Sequence, residues 1–343
     1  MKIKKVYIEP ICRKYEHNVF IKEYLRNKKI DSFYSDKELS CNVLEKTDSY
    51  KGVVSIVNIL KEIRNHEKID LVFLSIDKKY LLICVLLSFL KRVNSIVIIP
   101  HGILNEIYID TLVKSRIKSF LKKILFFTRL KFILTVFLLN KKNKIVVLGS
   151  SIKKNLVKLT NISYEQILTI NHPYRYGDIP NTPQSNDKII IGFIGVANKD
   201  KGFDILISAL SHLANSKFKF VHVGPKNNKF SYENISTVFR SNELVSDKEF
   251  KNEISKLDYI ILPLPDSEYK LRASGTFFDA VNFEKPIIYT SNDFIESYVK
   301  DLNVGYKVDL NDSKFTEVID KNHYHLQKNN IKILKEILKN NEI

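Results

Sequence analysis

Cysteine is scarce in this sequence, and its few copies are scattered. The three cysteines are Cys12, Cys41 and Cys84, and their spacing matches no metal-binding motif. Because three cysteines cannot all pair, we expect reduced thiols and a cytoplasmic protein. No apolar run is long enough to span a bilayer, and the first residues resemble a strand rather than a signal peptide. These absences argue against the secreted, disulfide-bonded and membrane-spanning classes.

Two glycine-rich nucleotide signatures are also missing. The chain has neither the Walker pattern Gly-x-x-x-x-Gly-Lys-Ser/Thr nor the dinucleotide pattern Gly-x-Gly-x-x-Gly. No Asp-x-Asp motif ends a predicted strand, although metal-dependent sugar transferases use one. We therefore expect neither a metal ion nor a resident cofactor.

Acidic residues are too few to balance the basic ones. Lysine and arginine number 55 against 38 aspartates and glutamates, which gives a formal net charge of +17. Such a surplus favours an anionic partner: nucleic acid, an acidic membrane surface or phosphorylated small molecules. A genome biased towards lysine codons would give the same surplus. Because no nucleic-acid-binding module is recognisable, we expect no nucleic-acid partner and keep a basic nucleic-acid-binding protein as the alternative.

Short apolar runs alternate with amphipathic stretches in both halves of the chain. Examples of predicted strands are KKVYIE at residues 4–9, IDLVFLSI at 69–76 and KIIIGFIGV at 188–196. Runs that are apolar on both faces indicate parallel strands covered by helices. The predicted fold class is α/β, with two Rossmann-like domains whose parallel sheets face each other across a cleft.

A polar stretch containing prolines divides the chain near its middle. Residues 171–188, NHPYRYGDIPNTPQSNDK, place three prolines between two strand signals, which is typical of a linker. We predict an N-terminal acceptor-binding domain over residues 1–172, a linker over 173–187 and a C-terminal donor-binding domain over 188–325. Residues 326–343 are expected to form a helix that packs back on the N-terminal domain.

The first candidate anion site follows the strand that opens the C-terminal domain. The segment GFIGVANKDKGFDILISAL, residues 192–210, joins an apolar strand to an amphipathic helix through a short polar turn. The turn contains Lys201 and Gly202 and places a cation beside a helix N-terminus, where anions are favoured. The alternative is a solvated lysine in a surface turn.

A second helix start lies further along the same half. In DYIILPLPDSEYKLRASGTFFDAVNF, Ser274, Gly275 and Thr276 begin a helix after a strand and a polar loop. Arg272 precedes them, and a guanidinium can make two-pronged contacts with phosphate oxygens. Asp279 lies one turn into the helix, where it can accept hydrogen bonds from sugar or ribose hydroxyls or simply favour the helix dipole.

These two stretches resemble the C-terminal domain of GT-B fold glycosyltransferases that use sugar nucleotides, the retaining group 4 and group 1 enzymes of bacterial surface polysaccharide synthesis. The family loop Gly-Arg-x-x-x-x-Lys-Gly contacts the donor diphosphate through its arginine and lysine. Gly195, Lys201 and Gly202 match this loop in register, whereas Val196 replaces the arginine. The resemblance implies a GT-B fold and sugar transfer from a nucleoside diphosphate.

The family also carries a pair of glutamates, the second followed by alanine and then by Gly-Lys-Pro. Here Asp279-Ala280 and Lys285-Pro286 match the second half, with aspartate for glutamate, and Leu271 replaces the first glutamate. The resemblance implies donor binding by the matching residues, with Lys199 or Arg272 in the role of the missing arginine. The donor-binding residues expected on these grounds are Gly195, Lys201, Gly202, Arg272, Ser274, Gly275, Thr276 and Asp279.

A histidine in the first half has a matching position. The motif IIPHGIL places His101 directly after a predicted strand. Family members often hold a histidine there, near the transferred sugar, which implies that His101 binds a donor hydroxyl or stabilises the leaving phosphate. A structural loop histidine is the alternative. Glu9, Glu16 and His17, near the end of the first strand, are predicted on the acceptor side, where one could act as a base if the enzyme inverts.

The first half also contains a long basic segment. Residues 114–144 include no acid, and apolar residues recur in them at near-helical spacing. A basic amphipathic helix can lie on an anionic membrane, or it can pack on its own sheet. We therefore predict a glycosyltransferase acting on a lipid-linked oligosaccharide or polysaccharide, in capsule or O-antigen type biosynthesis, at the inner face of the cytoplasmic membrane. A GT-B-like sugar-nucleotide epimerase is a further alternative.

Overall fold

The computed structural model describes two compact units of the chain. The residues described are 3–11, 14–26, 28–35, 50–100, 102–112, 129–177, 179, 188–213, 217–239 and 246–340. The first unit comprises Met1–Arg175 with Leu271–Ala273, and the second comprises Tyr176–Lys270 with Ser274–Ile343. Each unit is built on one sheet. This confirms the predicted α/β class with two Rossmann-like halves.

The sheet of the first unit has seven strands in the order β3-β2-β1-β4-β5-β6-β7. Every pair of neighbours is parallel, and the order runs outwards from β1 in both directions, as in Rossmann-type sheets. The strands are β1 Lys4–Glu9, β2 Ser32–Ser35, β3 Tyr50–Val53, β4 Ile69–Phe73, β5 Val93–Ile98, β6 Lys144–Val147 and β7 Ile167–Thr169.

Six helices of the first unit are described. They are α1 Lys14–Leu25, α2 Ile56–Asn65, α3 Lys78–Leu87, α4 Asn105–Leu112, α5 Leu130–Phe137 and α6 Ser150–Thr160. Ser55 and Asp77 start α2 and α3 by accepting amide hydrogen bonds with their side chains. Gly149 occupies the position before α6 with a φ of 136° and no side-chain cap, and Ser150 and Ser151 are the first residues of the helix.

The sheet of the second unit has six strands in the order β10-β9-β8-β11-β12-β13, again all parallel. They are β8 Ile189–Ile194, β9 Phe218–Val223, β10 Ser236–Thr237, β11 Tyr259–Leu262, β12 Ile287–Tyr289 and β13 Gly305–Lys307. The helices are α7 Phe203–Ser211, α8 Asp247–Ser255, α9 Asp266–Tyr269, α10 Gly275–Asn282, α11 Asp293–Val299 and α12 Tyr324–Asn340. Parallel order brings the carboxyl ends of β8, β9 and β11 to one edge of this sheet.

Burial explains why these strands form. Residues of β8 such as Ile191 and Phe193 are buried together with Phe203 of α7 and Tyr259 of β11. Apolar area of this kind stabilises a fold by about 25 cal/mol per Å². The core therefore fixes the strand ends that carry the loops described below.

Several predicted segments fall wholly or partly outside the described residues. Residues 113–128 of the basic segment and most of the predicted linker are among them. The closing helix, expected to pack on the N-terminal half, contacts α10 of the second unit and belongs to that unit. Within the described part of the chain, no helix is both long and apolar enough to cross a membrane.

Candidate functional site

Gly195 directly follows β8 and has a backbone conformation that favours glycine. Its φ is +86°, and a Cβ placed there would lie 2.8 Å from Lys201 Nζ and 3.6 Å from Thr276 Cγ2. The ammonium group of Lys201 and the start of α10 therefore meet above Gly195. Three of the residues predicted to bind a donor, distant in sequence, are brought together within the second unit.

A short 3₁₀ turn over Lys199–Lys201 positions the lysine. The side chain of Asn198 accepts a hydrogen bond from the Lys201 amide at 2.9 Å. Gly202 follows with a φ of +71°, and a Cβ on it would lie 1.9 Å from the Pro263 carbonyl oxygen. Only glycine fits there, so the turn packs directly on the end of β11.

The start of α10 lies beside this turn. Ser274 precedes the helix without a side-chain cap to the backbone, and its Oγ lies 2.8 Å from Thr276 Oγ1 instead. Gly275 is exposed, and a Cβ on it would meet nothing within 4 Å. Asp279, one turn further, is half-buried. A helix start presents backbone amides and a partial positive charge, so together with Lys201 it forms an environment suited to an anion.

His222, which no sequence motif indicated, lies directly behind Gly195. Its side chain is 0% exposed, and Nε2–H donates to the Gly195 carbonyl at 2.9 Å. Burial lowers the pKa of the imidazole, the Gly195 hydrogen bond opposes that effect and the charge of Lys201 adds to it. The available signal was a polar residue inside the apolar strand FKFVHV, just before Gly224.

Arg272 belongs to the first unit. A Cβ on Gly102 would lie 3.8 Å from its Nε and 3.9 Å from its Nη2, so the guanidinium packs over Gly102. Gly102 follows His101, which lies outside the described residues. Arg272 also lines a small cavity of the first unit; the other lining residues include Pro100, Leu148, His172, Leu271 and Ala273.

The residues predicted on the acceptor side belong to the first unit. Glu9 ends β1 and is 0% exposed; its Oε1 accepts hydrogen bonds from the Ser75 hydroxyl and from the Ile11 amide. Glu16 and His17 lie in α1, and their side chains are outside the described residues. Glu9 is thus held at the end of β1 by two hydrogen bonds within the first unit.

Two positions that depart from the family loop have clear structural settings. Val196, in place of the arginine, is 38% exposed. Leu271, in place of the first glutamate, is buried, and its amide donates to Asn105 Oδ1 at 3.4 Å. Neither side chain can supply charge to a ligand.

Lys285 of the Lys-Pro motif has a structural role. It is buried, and its Nζ donates to the carbonyls of Ser255 at 2.7 Å and Leu257 at 2.6 Å. Burial lowers its pKa to about 8, helped by the charge of Lys328 and opposed by those of Asp258 and Glu284. This lysine therefore closes the end of α8. Among the described residues, no group of three or more His, Cys, Asp or Glu side chains could hold a metal ion.

No protein-family profile matches the chain, and no curated protein sequence resembles it significantly. Solved structures do resemble it. WaaB, described as a lipopolysaccharide outer core galactosyltransferase, matches with a TM-score of 0.65 at 12% identity, over 99% of this chain and 99% of WaaB. A glycosyltransferase from Rickettsia africae matches with a TM-score of 0.64 at 15% identity, over 99% of this chain and 94% of the other.

The third similar structure is Anabaena HepE in complex with UDP-glucose. It matches with a TM-score of 0.62 at 12% identity, over 99% of this chain and 97% of HepE. These neighbours are GT-B glycosyltransferases. At such identities the likeness defines the fold: the chain has the GT-B fold, as the sequence resemblance implied.

Proposed function

We propose that this protein is a glycosyltransferase that moves a sugar from a nucleoside diphosphate to a lipid-linked oligosaccharide or polysaccharide in capsule or O-antigen type biosynthesis. The observation that carries the proposal is the meeting of Lys201 Nζ and the start of α10 above Gly195. Support also comes from the shared fold, from the UDP and UDP-glucose bound to HepE, and from the lipopolysaccharide role of WaaB.

The proposed chemistry requires stabilisation of a departing diphosphate. The bond between the sugar C1 and the phosphate oxygen breaks, its electron pair stays on the diphosphate, and an acceptor hydroxyl forms the new bond to C1 as it loses its proton. Lys201 and the amides at the start of α10 would neutralise the developing charge without a metal ion. Gly195 and Gly202 let the backbone approach the phosphates, and Asp279 would accept hydrogen bonds from sugar or ribose hydroxyls.

The residues predicted outside the Lys201 loop and the start of α10 remain proposals as well. Arg272 is the proposed substitute for the family arginine, and His101 remains the proposed contact to the transferred sugar or leaving phosphate. Glu9, Glu16 and His17 remain acceptor-side proposals. The cytoplasmic location also remains part of the proposal.

A panel of nucleoside diphosphates and nucleotide sugars, screened by thermal shift, tests this function. A ligand that binds only the native state raises the melting temperature, by an amount that grows with its concentration relative to Kd. We expect stabilisation by at least one nucleoside diphosphate and none by the corresponding nucleoside. No stabilisation by any diphosphate, at millimolar concentration, would contradict the proposal.

The proposed acceptor is linked to a lipid, so the proposal also requires a surface of the protein that contacts the membrane. Leu86, Phe89 and Leu139 are 70%, 70% and 71% exposed. They lie at the ends of α3 and α5, which pack together and are joined by a hydrogen bond from Asn140 Nδ2 to the Ser88 carbonyl at 3.4 Å. Large exposed side chains clustered in this way are typical of an interaction surface.

Charge complementarity indicates which partner this surface takes. The exposed basic residues beside the three apolar side chains are Lys91, Arg92, Lys141 and Lys142. Residues 78–105 and 129–164 contain no acid. We name the seven side chains the apolar-basic patch. It suits an anionic lipid surface, whereas a second copy of a chain with a net charge of +17 would be repelled.

Vesicle sedimentation tests the apolar-basic patch. We expect the protein to bind phosphatidylglycerol-containing vesicles, not pure phosphatidylcholine, and Phe89→Glu with Leu139→Glu to abolish binding. Ile333→Glu, at an apolar residue of α12 that is 51% exposed, is the matched control and should bind normally. Equal binding by both variants, or a dimer in light scattering that the Phe89 and Leu139 changes dissociate, would overturn this part of the proposal.

A further inference from the structure

Strand β9 holds the Gly195 peptide from both sides. The Gly195 amide donates to the Val223 carbonyl at 2.9 Å, and the Gly195 carbonyl accepts from His222 Nε2–H at 2.9 Å. A Cβ on Gly224 would lie 2.0 Å from the same carbonyl oxygen, so glycine is required there too. The peptide that begins the Lys201 loop is therefore fixed in position and orientation by residues of the neighbouring strand.

The imidazole of His222 is itself held in place. Its ring lies 5.7 Å from that of Phe193, 5.3 Å from that of Phe203 and 5.8 Å, stacked, from that of Tyr232. Because the acceptor at Nε2 is a carbonyl, Nε2 carries the proton, and the buried Nδ1 has no hydrogen-bond partner among the described residues. Burial also lowers the pKa of the imidazole, which keeps the ring neutral in this tautomer.

The loop that follows β9 provides a second support. The side-chain Nδ2 of Asn227 donates to the Ala197 carbonyl at 2.9 Å, and the backbone N–H of Asn227 donates to Tyr232 Oη at 2.9 Å. Tyr232 in turn stacks on His222. Two carbonyls of the segment 195–201 are thus bound by side chains that lie outside it.

We propose that His222 and Asn227 are positioning residues. They fix the position and orientation of the Lys201 loop, residues 195–201, so that it can contact a bound diphosphate. This inference rests on the proposed function. The loop needs external support because Gly195 holds a φ of +86° and the residue next to it is a valine, which cannot hydrogen-bond a phosphate through its side chain. Of the arginine and lysine that contact the diphosphate in the family loop, this loop retains only the lysine, Lys201. A shift of about 1 Å in the loop therefore weakens the contact to the phosphate.

Two replacements of His222 separate positioning from packing. His222→Phe keeps an aromatic ring in the cluster but removes the donor to Gly195. His222→Gln keeps an N–H donor at similar reach but removes the ring. If His222 positions the loop, His222→Phe raises the Kd for UDP about tenfold and lowers the melting temperature only modestly. His222→Gln then lowers the melting temperature more, because the ring is lost, and retains most of the affinity. Asn227→Ala should weaken UDP binding in the same direction.

Isothermal titration of UDP into the wild type and these variants gives the answer. If His222 were only a core residue, affinity would follow stability, with Gln the weaker binder and Phe equal to the wild type; that pattern would overturn the inference. A wild-type protein that binds no nucleoside diphosphate would instead contradict the proposed function. The two failures are therefore distinguishable.

Discussion

Gly195 determines how closely Lys201 can approach the backbone. A methyl group at this position would lie 2.8 Å from Lys201 Nζ, and the φ of +86° is strained for any side chain. We expect Gly195→Ala to displace the ammonium group and to raise the Kd for UDP about tenfold, with a loss of stability of about 1 kcal/mol. Titration calorimetry and thermal melting measure the two effects.

Gly177→Ala is the matched control for that substitution. A Cβ on Gly177 meets nothing within 4 Å, so both affinity and melting temperature should stay unchanged. Equal UDP affinity in the wild type and Gly195→Ala would contradict the placement of the diphosphate at this loop.

Glu62 gives the first unit a pH-dependent contribution to stability. It is 8% exposed and accepts hydrogen bonds from Tyr34 Oη at 2.7 Å and Lys4 Nζ at 3.1 Å. Burial alone would raise the pKa of this carboxyl, but those two hydrogen bonds, together with the charges of Lys4 and His66, outweigh burial and hold the pKa below its ordinary value. The stabilisation is therefore present above the unfolded pKa of about 4.3 and is lost as pH falls through the folded pKa.

We expect Glu62→Gln to lower the free energy of unfolding by about 2 kcal/mol at neutral pH. Because glutamine does not titrate, the difference from the wild type should shrink below about pH 4. Urea denaturation at several pH values measures it. A difference that stays constant down to pH 3 would show that the ionised carboxylate makes no contribution.

At the scale of single elements, Asn292 shows how a helix start is fixed in the second unit. It is buried, and its Oδ1 accepts hydrogen bonds from the amides of Phe294 at 2.9 Å and Ile295 at 3.2 Å. Asn292→Ala should cost about 1–2 kcal/mol, as loss of a buried N-cap does. Asn292→Ser, which keeps an acceptor, should recover much of that loss in denaturant melts. Equal destabilisation by both changes would mean that the cap makes no contribution.

The elements that the sequence predicted well are those with apolar runs. KKVYIE corresponds to β1, Lys4–Glu9, residue for residue, and the predicted strand at 188–196 contains β8. Strands such as β10, Ser236–Thr237, were missed because two residues at a sheet edge carry no apolar pattern. A local sequence pattern therefore predicts strands that are buried on both faces, but it does not predict short strands at the edge of a sheet.

The candidate site was only partly predictable for the same reason. Lys201 and the Ser274 helix start were visible as motifs, whereas His222 looked like one residue of an apolar strand. Its contact with Gly195 can be recognised only once the strand register is known: Phe193 of β8 pairs with His222, and Gly195 lies two residues beyond Phe193. Register between strands is set by tertiary packing, which a local pattern does not contain.

At the scale of the whole molecule, specific anion binding at the candidate site must be distinguished from the general attraction of anions to a positively charged protein. A net charge of +17 attracts any anion to some extent, and salt screens that attraction at distances beyond about 10 Å. If Lys201 binds the anion specifically, removing its charge must therefore reduce the affinity for UDP more than removing one positive charge elsewhere in the second unit. Lys314, exposed and on the same unit, provides that comparison.

Titration of UDP into the wild type, Lys201→Ala and Lys314→Ala at physiological salt tests the account most directly. We expect the wild type and Lys314→Ala to bind alike, and Lys201→Ala to bind at least about tenfold more weakly with an unchanged melting temperature. Equal affinities in all three proteins would contradict the assignment of the diphosphate to the Gly195–Lys201 loop and the start of α10.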